Sequence, residues 1–297
     1  MTFFLEVLIG GLLSGVMYSL VALGFVLIYK ASGVFNFAQG ALVFLAAATF
    51  VGLQEYGLGF WTAFGVTLLV MMAGAVLTEK FVLRKLVNQP QITLFMATIG
   101  LTFVLEGLTQ MVWGSNPRAL ELGIDDRPVE WIAQATGINL SQFDLFAAGV
   151  AGALVALLAL LFQKTKVGRA LRAVADDHQA ALSIGIPLKT IWAVVWSVAG
   201  FVAFVSGLIW GARNGVQFAL TFVALKALPV LILGGFDSIP GAIVGGLIIG
   251  AAEKLAEVYL GPMVGGGIEV WVAYMIALLF LLIRPEGLFG EKYIDRV

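Results

Sequence analysis

Glu106 lies within the apolar run 92–113, and Lys226 lies mid-run in 217–235, close to Pro229. A charge at such depth is costly and demands a partner or a task. Glu106 could line a polar path, accept a hydrogen bond while protonated, or pair with a base such as Lys226. Lys226 could snorkel, neutralise an acid or attract a substrate carboxylate. Glu253, Lys254 and Glu257 share one helical face and read as an i,i+4-type pair at a span end. His178 is the single histidine, beside Asp176 and Asp177 in a polar segment, and reads as solvated or part of a docking surface. One imidazole and no cysteine exclude thiolate ligands, cysteine nucleophiles and any metal site needing two histidines. No G-x-x-x-x-G-K-[ST] run occurs, so ATP chemistry must come from another chain. The chain reads as a non-enzyme that binds no cofactor or metal itself.

The elements that must position these groups follow from composition. Of 297 residues, 61% are hydrophobic and 12% charged, and mean hydropathy is +1.01. A soluble domain is nearer half apolar and a quarter charged. The fold class is therefore all-α and polytopic, with no β-barrel alternation and no basic footprint for nucleic acid at net charge −1. Apolar runs long enough to cross a bilayer cover 5–29, 60–83, 92–113, 143–163, 190–211 and 268–283. Shorter or broken runs cover 36–53, 217–235 and 240–260, giving eight or nine crossings in one transmembrane domain over 1–297. The first run lacks a basic flank and a small-residue cleavage site, and reads as a retained span.

Orientation follows from the basic residues. With the N-terminus outside, Lys30, Lys80, Arg84, Lys85, Lys164, Lys166, Arg169, Arg172, Lys189, Arg284, Lys292 and Arg296 fall inside. Only Arg118, Arg127 and Arg213 fall outside, with the acidic segment 114–142 as an extracytoplasmic loop and the C-terminus in the cytoplasm. Trp61, Trp113, Trp131, Trp192 and Trp271 fall near span ends as interfacial anchors. Gly11/Gly15, Gly241/Gly245 and Gly246/Gly250 are small-xxx-small pairs that let helix backbones approach.

Residues 33–43 (GVFNFAQGALV) and 234–244 (GGFDSIPGAIV) align without gaps, matching Gly33/Gly234, Phe35/Phe236, Gly40/Gly241, Ala41/Ala242 and Val43/Val244. Asn36 and Asp237 stand where a helix N-cap belongs. Broken segments repeated in two halves point to a pathway between the halves; the alternative is a chance likeness of two glycine turns. Candidate pathway residues are Asn36, Phe37, Gln39, Gly40, Glu106, Lys226, Asp237, Ser238 and Gly241.

The segment 164–189 is the most polar one assigned to the inner side. It reads as a short amphipathic helix, with Val167, Leu171 and Val174 on one side, stopped by Gly185 and Pro187. It could receive force from a partner or lie on the interface.

The run VGRALRAVADDHQAALSIGI resembles the cytoplasmic loop of branched-chain amino acid ABC transporter permeases of the LivH type. LVALGFVLIYKASGVFNFAQG (20–40), LKALPVLILGGFDSIPGAIVGGLIIG (225–250) and LLIRPEGLFG (281–290) fit the same family in the same order. The resemblance implies an inner-membrane permease of a bacterial ATP-binding cassette importer moving branched-chain amino acids by alternating access. It implies a second, homologous permease of LivM type, two cytoplasmic ATP-binding subunits carrying ATP and Mg, and a periplasmic solute-binding protein. The 167–187 loop would be the coupling helix, with Gly168, Arg169, Arg172, Ala173, Asp176, Ala180, Gly185 and Ile186 meeting the ATPase, and the two half-repeats would line the route. Many relatives carry His at the position of Gln39 and Gln at that of Glu106, departures that fit another cargo of the family, such as urea, short amides or aromatic acids. A proton-coupled secondary transporter working through Glu106 is the rival reading.

Overall fold

The computed structural model describes residues 2–86, 89–176 and 178–290, with the side chains of 176 and 178–180 left out. Asp177, Lys292 and Arg296, and the side chains of Asp176, His178 and Ala180, therefore lie outside the described residues.

The helices, in chain order, are α1 (Thr2–Ser32), α2 (Gln39–Glu55), α3 (Phe60–Phe81), α4 (Gln91–Trp113), α5 (Glu130–Thr136), α6 (Gln142–Lys164), α7 (Lys166–Asp176), α8 (His178–Ser183), α9 (Leu188–Asn214), α10 (Val223–Gly234), α11 (Ile239–Tyr259), α12 (Gly261–Val264) and α13 (Glu269–Ile283). Short 3-10 turns cover Leu83–Leu86 and Phe218–Phe222. Among the described residues there is no strand, only the isolated bridges Arg118–Val216 and Pro128–Ser141. The protein is all-α, and among the described residues six helices are long and apolar enough to cross a membrane: α1, α3 with its 3-10 turn, α4, α6, α9 and α11.

One expected ranking is reversed. The run 240–260 counted as broken, yet α11 is a continuous 21-residue helix, whereas α13 has 15 residues. The glycines of α11 are packing surfaces rather than breaks. α13 is shortened because Gly265, Gly266 and Gly267 all hold positive φ immediately before it, a conformation that ends a helix.

The chain divides into two compact units, Met1–Ala22 with Gly123–Leu157 and Lys226–Val297, and Leu23–Leu122 with Leu158–Leu225. In the first, the stem of α1 crosses α11 at backbone contact. A Cβ on Gly11 would lie 2.7 Å from the Gly250 carbonyl oxygen, and Gly15 abuts the Gly246 carbonyl. The two small-residue pairs read from the sequence thus face each other. α10 folds back on α11 through Gly245, where a Cβ would lie 2.6 Å from the Val230 oxygen. Glu257 on α11 accepts from the amides of Gly267 and Ile268 at 2.7 Å and of Glu269 at 3.1 Å. It therefore caps the start of α13, where a carboxylate meets unpaired N–H groups, and it also interacts electrostatically with Lys254 along α11.

In the second unit α9 packs on α2 and α3, and α2 also packs on α4. Gly207 of α9 admits the Val43 carbonyl, 2.6 Å from where a Cβ would stand, and Gly200 lies against Met71 and Ala75 of α3. Glu79 is fully buried and bound side-on by Arg84, at 3.0 Å from Nε and 2.6 Å from Nη2. Trp192 is buried, its indole donating to the Ala31 carbonyl at 3.1 Å. It ties α9 to α1 rather than anchoring an interface, unlike the exposed Trp61, Trp131 and Trp271.

Candidate functional site

The break between α1 and α2 lies in the second unit and holds the first set of residues read from the sequence as pathway candidates. Gly33, at φ +69, ends α1. The chain then runs without helix to Gln39, and Asn36 organises this turn, its Oδ1 accepting from the Ala38 amide at 3.1 Å and its Nδ2 donating to Gln39 Oε1 at 3.4 Å. Asn suits the position because its short side chain can satisfy backbone amides just before a helix. Asn36 and Gln39 are both 0% exposed, and Gln39 Nε2 has no hydrogen-bond partner. Gln39 lies against Gly24, whose missing Cβ leaves the room it occupies. Gly40 is pressed against the Thr221 carbonyl and Ala224.

α4 pins this break. The Thr98 hydroxyl lies 3.2 Å from the Phe35 carbonyl and accepts from the Phe37 amide at 3.4 Å. Phe25 stacks on Phe35 at 4.7 Å between centroids; Phe37 meets Phe35 and Phe95 edge-on at 4.7 and 4.9 Å. A polar turn is thus enclosed by rings. Thr98 and Thr109, both buried, had not been singled out from the sequence. The spacing Thr98, Thr102, Glu106, Thr109 on α4 was the available signal, since steps of four, four and three keep one helical face. Along it Thr98, Glu106 and Thr109 are buried, and Thr102 and Thr109 return their hydroxyls to the carbonyls of Thr98 and Leu105. Glu106 therefore belongs to a polar stripe. Among the described residues it makes no ion pair; the partner of Lys226 is Glu269, at 2.8 Å.

The second break lies in the first unit. The N-cap there is Ser238, one residue after Asp237, with its Oγ accepting from the Gly241 amide at 3.1 Å and Pro240 in the first turn of α11. Serine caps as well as aspartate, and proline at the start fixes φ without losing a needed N–H. Gly241 abuts the Gly234 carbonyl. The aligned glycines Gly40 and Gly241 thus do the same thing in both halves: each lets a neighbouring backbone oxygen approach the start of a helix.

The polar segment forms α7 and α8, on either side of residue 177. Thr165 opens α7, its Oγ1 accepting from the Gly168 amide at 3.2 Å, and a Cβ on Gly168 would strike the Phe162 carbonyl. Arg172 reaches back to donate to the Phe162 oxygen at 2.7 Å, capping the end of α6. Leu171, Val174 and Ala181 are buried, while Arg169 and Arg172 are exposed and Ala173 is half-buried. The stop at Gly185 holds: its φ is +84, and the half-buried Ile186 donates to the Ala181 carbonyl at 3.0 Å.

Comparison with known proteins matches this architecture. The chain is 28% identical to the high-affinity branched-chain amino acid transport system permease protein BraD of Pseudomonas aeruginosa, over 99% of this chain and 98% of that protein. It is 26% identical to the permease protein LivH of Escherichia coli K12 over the same shares. It is 28% identical to a probable LivH of Methanocaldococcus jannaschii, over 97% of this chain and 93% of that one. In fold it is similar to a chain of PsaBC from Streptococcus pneumoniae in complex with Fab, with TM-score 0.52 and 14% identity over 94% and 92% of the two chains. Residues 7–284 match the family described as branched-chain amino acid transport system / permease component, and the chain belongs to that family.

Proposed function

We propose that this chain is the membrane permease subunit of an ATP-driven importer of branched-chain amino acids. The observation that carries the reading is likeness along the whole length to BraD and LivH, whose names state that role. The chain supplies no chemistry; it binds cargo differently in two states whose balance its partners shift. A second permease of LivM type shares the pathway. Two cytoplasmic subunits bind ATP and Mg, and a periplasmic protein delivers cargo. The excess of Lys and Arg on one side supports a C-terminus in the cytoplasm of a bacterial inner-membrane protein. The exposed Arg169, with Gly185 and Ile186, supports docking of the α7–α8 segment on the ATPases.

The polar break at Asn36–Gln39, the face of Glu106 and the turn Asp237–Gly241 are the proposed walls of the route. The test is uptake of labelled leucine into proteoliposomes holding the permease pair and ATPases, with the binding protein supplied outside and ATP within. Uptake that needs ATP and all subunits supports the reading. Uptake that survives without the ATPases and collapses with the proton gradient overturns it in favour of a secondary transporter. ATP-driven uptake of urea, amides or aromatic acids in place of leucine would correct the cargo alone.

A further inference from the structure

Trp192 stands just inside α9, buried, and its indole N–H donates to the equally buried Ala31 carbonyl at 3.1 Å. That carbonyl belongs to the last turn of α1, where backbone oxygens lack an intrahelical donor. The same turn leads directly into the first break: the Ser32 hydroxyl donates to the Ile28 carbonyl at 2.7 Å and accepts from the Val34 amide at 3.4 Å. On the other side of the bond, α8 ends at Ser183 and α9 starts at Leu188. The turn between them is closed, with Gly185 and Ile186 donating to the carbonyls of Leu182 and Ala181, both at 3.0 Å. Thr190 and Ile191 then donate to the Pro187 carbonyl at 3.0 and 3.3 Å. Both α7 and α8 pack on α9, with Leu171, Val174 and Ala181 buried. A displacement of α7–α8 is therefore carried to the start of α9 instead of being absorbed in the turn. Farther along α9, Gly200 and Gly207 meet α3 and α2 by close packing, which is less directional than a hydrogen bond.

We propose that Trp192 is a positioning residue that passes movement of the α7–α8 segment to the polar break at Asn36–Gln39. When the ATPases displace α7–α8, the start of α9 moves with it, and the indole bond draws the end of α1 along. The turn that Asn36 holds then shifts, and Gln39 is presented in a second geometry. Trp192 touches no cargo and acts through Ala31. This deepens the transport reading and rests on it, including the docking of α7–α8 on the ATPases.

Two measurements on the complete transporter test this. Trp192→Phe keeps an aromatic ring and removes the N–H. In proteoliposomes, leucine imported per ATP hydrolysed should fall about threefold or more, the size expected of one residue in a coupling path, while hydrolysis stimulated by the binding protein persists. A purely structural role would lower uptake and hydrolysis together, so an unchanged ratio overturns the proposal and leaves the importer reading standing. A wild-type complex that imports no branched-chain amino acid overturns the importer reading itself. If W192F fails to assemble, 3-benzothienylalanine, with sulfur in place of the indole N–H, is placed at position 192, and an unchanged ratio is equally fatal. The second measurement uses the absence of cysteine from the chain. Ser32→Cys sets one thiol beside the bond, and its labelling by a maleimide is followed by mass spectrometry of this chain. The labelling rate should differ between nucleotide-free and vanadate-trapped complexes when Trp192 is present, and the difference should shrink to less than half with W192F. An undiminished difference in W192F, or no difference in the Trp192 parent, overturns the proposal.

Discussion

Gly235 and Gly287 meet backbone to backbone at the turn between α10 and α11. A Cβ on Gly287 would lie 2.6 Å from the Gly235 nitrogen, and both residues hold positive φ, +106 and +82. The amides of Leu288 and Phe289 then donate to the carbonyls of Leu233 and Gly234 at 2.8 and 3.1 Å. The segment RPEGLFG is thus a clamp on the second break. Gly287→Val should cost more than the roughly 1–2 kcal/mol of a left-handed φ alone, because the neighbouring backbone cannot yield. Gly123, at φ +73 with open space around its Cα, is the control. Thermal unfolding in detergent should show a clearly larger fall for Gly287→Val than for Gly123→Val; equal falls would mean the contact adds nothing.

The crossing of α1 and α11 is equally intolerant. Gly246 abuts the Gly15 carbonyl and the Ser19 hydroxyl, and Gly250 abuts Gly11 and lies 2.5 Å, measured from a Cβ, from Gly15 Cα. Overpacking of a tight core costs about 1–3 kcal/mol per site. Gly250→Leu should therefore sharply reduce the yield of monodisperse protein, while Gly10→Leu, with nothing near its Cα, should leave it unchanged. Size-exclusion profiles after solubilisation give the answer.

What the sequence disclosed and what it hid divide along a physical line. Hydropathy placed the long helices within a few residues, because length and apolarity are local properties. The small-residue pairs were visible for the same reason, and the end of the α7–α8 segment followed from Gly185 and Pro187. Partnerships across distant segments were not visible. Lys226 finds Glu269, 43 positions away, rather than Glu106, and no local pattern encodes that choice. Trp192 looked like an interfacial ring but is buried against Ala31, since indole composition alone does not say which face of a helix is covered. The polar stripe on α4 was legible in its spacing, yet threonines read as bland until Thr98 is seen holding the break.

Arg169 and Arg172 differ in role although they are neighbours on α7. Arg172 caps α6, so Arg172→Ala should lower stability by a few tenths to about 1 kcal/mol, as expected for a basic group at a helix C-terminus. Arg169 is exposed and its side chain makes no hydrogen bond within the described chain. Arg169→Glu should leave unfolding unchanged while reducing co-purification of the ATPase subunits. Loss of stability in the Arg169 variant with normal subunit association would reverse the assignment.

The last prediction concerns the first break. Thr98→Val keeps the shape of the side chain and removes the hydroxyl that faces the Phe35 carbonyl and the Phe37 amide. An ordinary hydrogen bond contributes about 0.5–1.5 kcal/mol, so the variant should fold and assemble with a small loss of stability. Asn36→Ala removes an acceptor from the buried Ala38 amide and should cost about 1 kcal/mol. If the break lines the route, both variants should lose leucine uptake out of proportion to their stability, because a turn that wanders cannot present Gln39 in one geometry. Val43→Ala, a core change of similar or larger stability cost away from the turn, separates the two effects. Uptake that tracks stability alone across all three variants would make the break a structural joint and remove Asn36, Phe37 and Gln39 from the pathway.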